Sequence, residues 1–546
     1  MKAPLLALLS ASAFAAALPN EFLEYGSPFL GLVALVPLYA AFRVAPEMRT
    51  AMRAGAVFGA ISTMLSNYWL ANFGEFSVWT LGGPTVGYIG YNILLATVLY
   101  TLMRLPSSLR PLAFALAWTG YELLKSIGYL GYPWGLAAYP FGDVIAAMQI
   151  ADVTGVYGLS FIVVYMNAAI AEVVIDRGYR GVRAHAASVG GSLHSALHRL
   201  PLRHLLLAVV LLALNFGYGW HRISQPAAPD DTMRVALIQQ NTDSWQPGNL
   251  SNTLSILQNL SLEALEYREH DLLVWSENSI SVPYQQYRDT YLSRTPTSRP
   301  FTEFIEQIDT PLMTGSPYLP SDTGQTAWNA ALLIEPGTGD IIDRYGKRQL
   351  VPFAEHIPFW EFEPIQHFFR NVVGLQAAWS RGDSRVLFDL PTQSGTVAAS
   401  APICFEDAFA SLIRDFTRDG ADVMVNLTNN AWSETDSAQF QHFVAARFRA
   451  IEARRPLIRS TNAGLTTVVD IDGTTVDALP MFEAGFLSVD VPLYTSGGLT
   501  AYHIWGDVFA YLALAATAAF VAAIALGQQR EGTAAAYTTD LSTGTG

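Results

Sequence analysis

Cysteine is almost missing: Cys404 is the single one in 546 residues. A lone thiol excludes an internal disulfide and any Cys-based metal cluster, leaving a small core residue or a nucleophile. Charge is scarce as well. Charged residues make up 14% of the chain against 51% hydrophobic ones, whereas soluble globular proteins carry about 25%. That balance points to a membrane protein. The charge present sums to −14, which argues against nucleic acid as a partner, since phosphate contacts need basic patches. No G-x-G-x-x-G follows a strand pattern and no P-loop occurs, so no recognisable nucleotide-binding motif is present.

Long apolar runs fill roughly the first 220 residues and return near the C-terminus. With about 20 apolar residues needed per span, eight candidates emerge: 3–19, 28–45, 54–73, 84–103, 111–127, 153–175, 204–220 and 502–526. The first also has the form of a signal peptide, with Lys2, an apolar core and the small residues of "AFAAALPN". The chain thus divides into 1–221 with spans one to seven, 222–500 of ordinary soluble character, 501–527 with an eighth span, and a tail at 528–546 whose composition predicts disorder. Of 32 Lys and Arg, 19 fall between 222 and 500. Of the remaining 13, all but Lys125 lie on one side if the spans alternate, and loops 20–27, 74–83 and 128–152 hold none. By the positive-inside rule the basic side, tail included, is cytoplasmic and 222–500 is extracytoplasmic, on the periplasmic face of an inner membrane. The spans are nearly free of ionisable groups, apart from Glu122 and Lys125 near an outer end, which argues against a transporter. The outer loop "GYLGYPWGLAAYP" (128–140) suits an interfacial belt or a lipid entrance, with Trp134 an interface anchor or a substrate contact.

Within 222–500, short β-rich runs at 233–241, 271–278, 311–318, 329–336, 396–406, 421–430 and 465–473 alternate with helical patterns. Residues 250–269 space Leu254, Leu257, Leu260 and Leu265 helically, and 437–455 do the same with Phe440, Phe443, Phe448 and Ile451. Strands alternating with helices predict a layered α/β domain. Three apolar runs end in polar residues: "VWSEN" with Glu277, "DRYGKRQLVPFAEHIP" with Lys347 and Glu355, and "PICFED" with Cys404. Open α/β sheets place their chemistry at strand ends. Each residue taken alone has a bland reading as a core thiol, a solvated carboxylate or a surface amine. Together they form a reactive set: a thiol attacks as thiolate, a carboxylate takes its proton, and an ammonium favours the thiolate and later an oxyanion.

The order Glu277, Lys347, Cys404, in "WSEN", "YGKRQLVPFAEHIP" and "ICFED", resembles the nitrilase superfamily with its Glu-Lys-Cys triad. Set between a seventh and an eighth span, and joined by "TNNAW" (428–432), "RPLIRSTNAG" (455–464) and "GYPWG" (131–135), it is similar to the apolipoprotein N-acyltransferase family, over nearly the whole chain up to about 527. The family commonly has Tyr where Phe405 stands, and a Gly-containing stretch where "SETDSAQ" follows Trp432, which implies an altered lid. The resemblance implies a helical membrane bundle of about eight spans with an αββα sandwich, and transfer of an acyl chain from a phospholipid to the α-amino group of a diacylglyceryl-modified apolipoprotein through a Cys404 thioester. It implies Glu277 as base and then acid, Lys347 and a backbone N–H near Phe405 as oxyanion donors, and Glu355 and Glu406 as orienting groups, with no metal or cofactor. A structural ion pair is as good a reading for Glu355 and for Glu406 on local sequence. Trp245, Asn329, Trp432 and Trp134 are candidate substrate contacts; His442 is assigned packing or capping. A monomer is expected. The alternative activity is a membrane-tethered amidase, with water resolving the thioester.

Overall fold

The computed structural model describes residues 2–73, 77–184, 200–242, 248–288, 299–320, 327–374 and 379–543. Each of the eight apolar segments contains helix. Among the described residues four helices are long and apolar enough to cross a membrane: Ser77–Leu102, Val156–Asp176, Leu202–Ile223 and Val508–Gln529. Around them pack Lys2–Ala17, a helix broken between Pro28–Gly31 and Val36–Val44, Met48–Ser66 and Arg110–Ser126. These four fall short as uninterrupted apolar spans for visible reasons. Lys2–Ala17 has 16 residues, and Met48–Ser66 carries Arg49 and Arg53 in its first turns and then tightens into the 3-10 turn Tyr68–Asn72. Lys2–Ala17 lies in the bundle core through Ala3, Ala7, Ala11 and Phe14. The expected eighth span is interrupted: Ala501–Trp505 stops at Gly506, whose φ of +61° suits glycine, and a second helix runs Val508–Thr543, through most of the tail expected to be disordered.

The domain between the last two long helices holds two six-stranded sheets face to face. One runs β12-β1-β2-β3-β4-β5 and the other β11-β10-β9-β8-β7-β6. The strands are β1 Asp231–Gln239, β2 Leu272–Trp275, β3 Leu312–Tyr318, β4 Trp328–Ile334, β5 Ile341–Gly346, β6 Leu387–Pro391, β7 Thr396–Ser400, β8 Val423–Thr428, β9 Leu457–Thr461, β10 Thr467–Val469, β11 Thr475–Ala478 and β12 Gly485–Leu493. In each sheet three neighbouring strands are parallel (β1, β2, β3 and β7, β8, β9) and the flanking pairings are antiparallel. Val235, Leu237, Val274 and Met313 meet Val397, Ala399, Val425 and Ile458 in the apolar layer between the sheets. The outer face of the first sheet is covered by Leu250–Tyr267 and Arg299–Gln307 through Leu254, Leu257, Phe301 and Phe304. That gives the layers α/β/β/α; β2 and β8 are buried along their whole length, as strands covered on both faces are, while β7 leaves Thr396 exposed.

The fourth layer differs from an ordinary surface helix. Asp436–Ala453 starts at Thr435, whose side chain accepts from the Ala438 N–H, and every residue from Ser437 to Ala453 is buried. One face, with Phe440, Phe443 and Ala446, lies on β8, β9 and β10. Another, with Val444, Ala445, Phe448 and Ile451, belongs to the core of the helical bundle, as do Phe405 and Phe409. This helix therefore seats the sandwich on the bundle.

Candidate active site

Glu277, Lys347 and Cys404 each stand just beyond a strand: Glu277 two residues after β2, Lys347 directly after β5, and Cys404 on the turn following β7. The sheets bring these ends together. The Lys347 Nζ donates to Glu277 Oε1 at 3.1 Å and to Glu355 Oε1 at 2.8 Å, and the ammonium is 1% exposed. Asn329 on β4 donates from its Nδ2 to both carboxylates, at 2.8 Å to Glu277 and 3.0 Å to Glu355. The Asn429 N–H, one residue past β8, donates to Glu277 Oε2 at 2.9 Å. Glu355 also accepts from the Val351 N–H at 2.8 Å.

A buried ion cluster of this kind is a weak device for stability, because desolvation offsets most of the attraction. It does fix charge beside the thiol. Burial works against the Lys347 ammonium, but Glu277 and Glu355 outweigh it and hold its pKa well above the usual lysine value. Burial pushes the half-buried Cys404 thiol well up; the negative charge of Glu277 adds to this, and Lys347 opposes it. At rest, then, sulfur keeps its proton next to a carboxylate and a permanent cation. Such a set can transfer the proton as the sulfur attacks and can meet an oxyanion with an ammonium.

The Cys404 turn is itself constrained. Cys404 has φ +50°, a left-handed conformation that costs a side-chain-bearing residue roughly 1–2 kcal/mol. Glu406 holds it there: its carboxylate accepts from the Ile403 N–H at 2.8 Å, the Arg348 and Gln349 N–H groups at 2.8 and 2.9 Å, and the Tyr345 hydroxyl at 2.9 Å. Burial raises the Glu406 pKa, against the pull of those N–H donors. Glu406 thus ties the Cys404 turn to the Lys347 loop. Its neighbour Asp407 accepts from His442 Nε2 at 2.6 Å and from Arg459 Nε at 3.2 Å. Burial lowers the His442 pKa, so a neutral imidazole braces the turn, in keeping with the packing role expected of it.

The remaining sequence candidates are distributed around this core. Phe405 stacks on Tyr132 and Trp134 at 6.1 and 6.0 Å and lies edge-on to Phe409 at 4.7 Å. Trp134 is 6% exposed, so it is no exposed interface anchor. Its loop is held by Lys125, whose Nζ donates to the Trp134 and Gly135 carbonyls, and by Glu122, which accepts from the Ala137 N–H. Trp432 packs at a tilt against Trp69 at 5.7 Å and lies edge-on to Phe73 at 5.2 Å. Trp245 lies outside the described residues. Sequence reading did not single out Asn429, Tyr345, Asp407 or Gly315. Gly315 has a detectable reason: a Cβ there would sit 2.6 Å from the Glu277 Cα and 2.5 Å from the Asn278 nitrogen. An unbroken β-pattern carrying one glycine is the signal for such a close approach.

The family model for carbon-nitrogen hydrolase matches residues 234–499, and a carbon-nitrogen hydrolase from Helicobacter pylori is similar at 16% identity, covering 51% of this chain and 94% of that one with a TM-score of 0.36. By the match to that family model, the two-sheet domain is a carbon-nitrogen hydrolase domain. The model for the apolipoprotein N-acyltransferase N-terminal domain matches residues 9–169. Apolipoprotein N-acyltransferase 2 of Treponema pallidum is 37% identical over 515 residues, covering 89% of this chain and 88% of the relative. The Treponema denticola protein of the same name is 35% identical over 511 residues, covering 93% and 95%. The apolipoprotein N-acyltransferase of Borreliella burgdorferi is 30% identical over 504 residues, covering 91% of each. The chain belongs to the apolipoprotein N-acyltransferase family.

Proposed function

We propose that this protein moves a fatty acyl chain from a phospholipid to the α-amino group of the diacylglyceryl-cysteine at the N-terminus of apolipoproteins, in two half-reactions through Cys404. The names of the relatives support the activity. The observation that carries the chemistry is the buried Glu277–Lys347–Glu355 cluster set against a thiol whose next residue packs on the helical bundle. In the first half-reaction the Cys404 sulfur attacks the ester carbonyl as its proton passes to Glu277. Lys347 and a backbone N–H beside Phe405 meet the oxyanion. Collapse breaks the ester C–O bond, Glu277 returns the proton to the leaving oxygen, and a lysophospholipid departs. In the second, the amine attacks the thioester, Glu277 takes its proton, and expulsion of the sulfur leaves an amide and a restored thiol. Glu355 and Asn329 hold Lys347 and Glu277 in place throughout.

The setting fits the donor. Eight spans, the basic ends cytoplasmic, would put the sandwich on the extracytoplasmic face of the inner membrane, where ATP and acyl-CoA are absent and phospholipid esters are abundant. The test supplies labelled phospholipid with and without a diacylglyceryl lipopeptide bearing a free α-amine. Labelled amide that requires the lipopeptide amine, with one lysophospholipid released per amide, is expected. Free fatty acid released at the same rate without the amine would instead make water the acyl acceptor and the protein a hydrolase.

A further inference from the structure

The indole N–H groups of Trp69 and Trp134 converge on one side chain that the mechanism does not use. Gln441, on the helix Asp436–Ala453, accepts from Trp134 Nε1 at 3.0 Å and from Trp69 Nε1 at 3.2 Å through its single Oε1. Its Nε2 donates to the Pro19 and Ser66 carbonyls, each at 2.9 Å. The carboxamide is 4% exposed and its full hydrogen-bonding capacity is engaged. All four partners belong to the helical bundle, while Gln441 belongs to the sandwich and directly precedes His442, which braces the nucleophile turn through Asp407.

What the two indoles do follows from their contacts. Trp134 stacks on Phe405, the residue after Cys404, and on Tyr132 at 5.3 Å. Trp69 lies 6.1 Å from Trp134 and 5.7 Å from Trp432. These rings form a continuous aromatic wall from the nucleophile turn into the bundle. Stacking alone sets ring separation but leaves rotation about the stack loosely determined; a hydrogen bond from each N–H fixes it. A fixed wall matters for an acyl chain, since misplacing a reacting carbonyl by about 1 Å costs about a hundredfold in rate.

We propose that Gln441 is a positioning residue for acyl transfer: by pinning Trp69 and Trp134 it locks the aromatic wall against Phe405 in register with the Cys404 turn. The proposal rests on the acyl-transfer reading above. Its test uses full-length protein in detergent micelles with phosphatidylethanolamine. Two rates are measured: acylation of Cys404 by intact mass, and alkylation of the same thiol by iodoacetamide, a reagent too small to need the wall. Gln441→Met removes both polar functions at similar volume. Trp69→Phe and Trp134→Phe each remove an indole N–H and leave Gln441 in place.

Gln441→Met slows acylation about tenfold, the effect of one or two lost hydrogen bonds, with alkylation within about twofold of wild type. In the Trp69→Phe, Trp134→Phe background its further effect falls below about twofold, because no indole remains to hold. Acylation of Gln441→Met within about twofold of wild type overturns the proposal, as does an undiminished further loss in the double-Phe background. Should Gln441→Met fail to fold, the two Phe variants carry the test: each slows acylation about threefold with alkylation unchanged, and no slowing in either overturns it. Wild-type protein that alkylates but never acquires an acyl chain removes the acyl-transfer reading and this proposal with it, an outcome separate from any difference among variants.

Discussion

Cys404 and Lys347 both hold their protons more firmly than usual: burial, then the charge of Glu277, raises the thiol, while Glu277 and Glu355 raise the ammonium against the pull of burial. The ammonium stays charged and the thiol stays neutral. A raised thiol pKa means the thiolate is the minority form at neutral pH, and its fraction grows about tenfold per pH unit below that pKa. Alkylation of Cys404 by iodoacetamide is therefore expected to climb through the alkaline range with no plateau near neutrality. A plateau below pH 7 would show a thiolate already formed at rest. The sequence discloses the three reactive residue types, because each ends an apolar run. It does not disclose that Asn329 donates to both Glu277 and Glu355, or that the Asn429 N–H reaches Glu277. Those contacts join strands far apart in the chain, and local pattern carries no information about which strand ends meet.

At the scale of elements, strand ends make the candidate site. The β2 end carries Glu277 against β3, and the turn after β7 carries Cys404 against the Lys347 loop. Gly315 permits the first approach. Gly315→Ala places a methyl carbon where the Glu277 Cα and the Asn278 nitrogen leave under 3 Å, so the β2 end must shift. The expected result is folded protein, Tm lowered by a few degrees, whose Cys404 acylation falls at least about tenfold because the proton acceptor has moved. Acylation at the wild-type rate would show that Glu277 has slack. Helical and strand patterns in the sequence locate Leu250–Tyr267, Asp436–Ala453 and seven of the strands. β5, β6, β9, β11 and β12 go unnoticed. Three of them, β5, β6 and β11, are antiparallel with partly exposed residues and short or mixed apolar patterns. The helix Asp436–Ala453 is legible as a helix but not as a doubly covered one, since its second cover comes from residues near the other end of the chain.

At the scale of the whole molecule, the sandwich and the bundle share one core through that helix, Phe405 and Phe409. The apolar runs announce the bundle, while the pairs that Arg43 and Arg110 make with the buried Glu172, and the Asp152 links to Arg222 and Arg454, are invisible to hydropathy. Orientation has its own test. In a Cys404→Ala background, Ser394→Cys in the sandwich reacts with a membrane-impermeant maleimide in intact spheroplasts, and Ser108→Cys reacts only after lysis. The reverse pattern would invert the topology. The central claim, that Cys404 carries the acyl chain, is tested most directly by intact mass of the protein after incubation with phospholipid and no acceptor amine. The account predicts one added acyl chain on wild type, lost in hydroxylamine and absent from Cys404→Ser. Wild-type protein that turns over lipid without ever showing that adduct would contradict it.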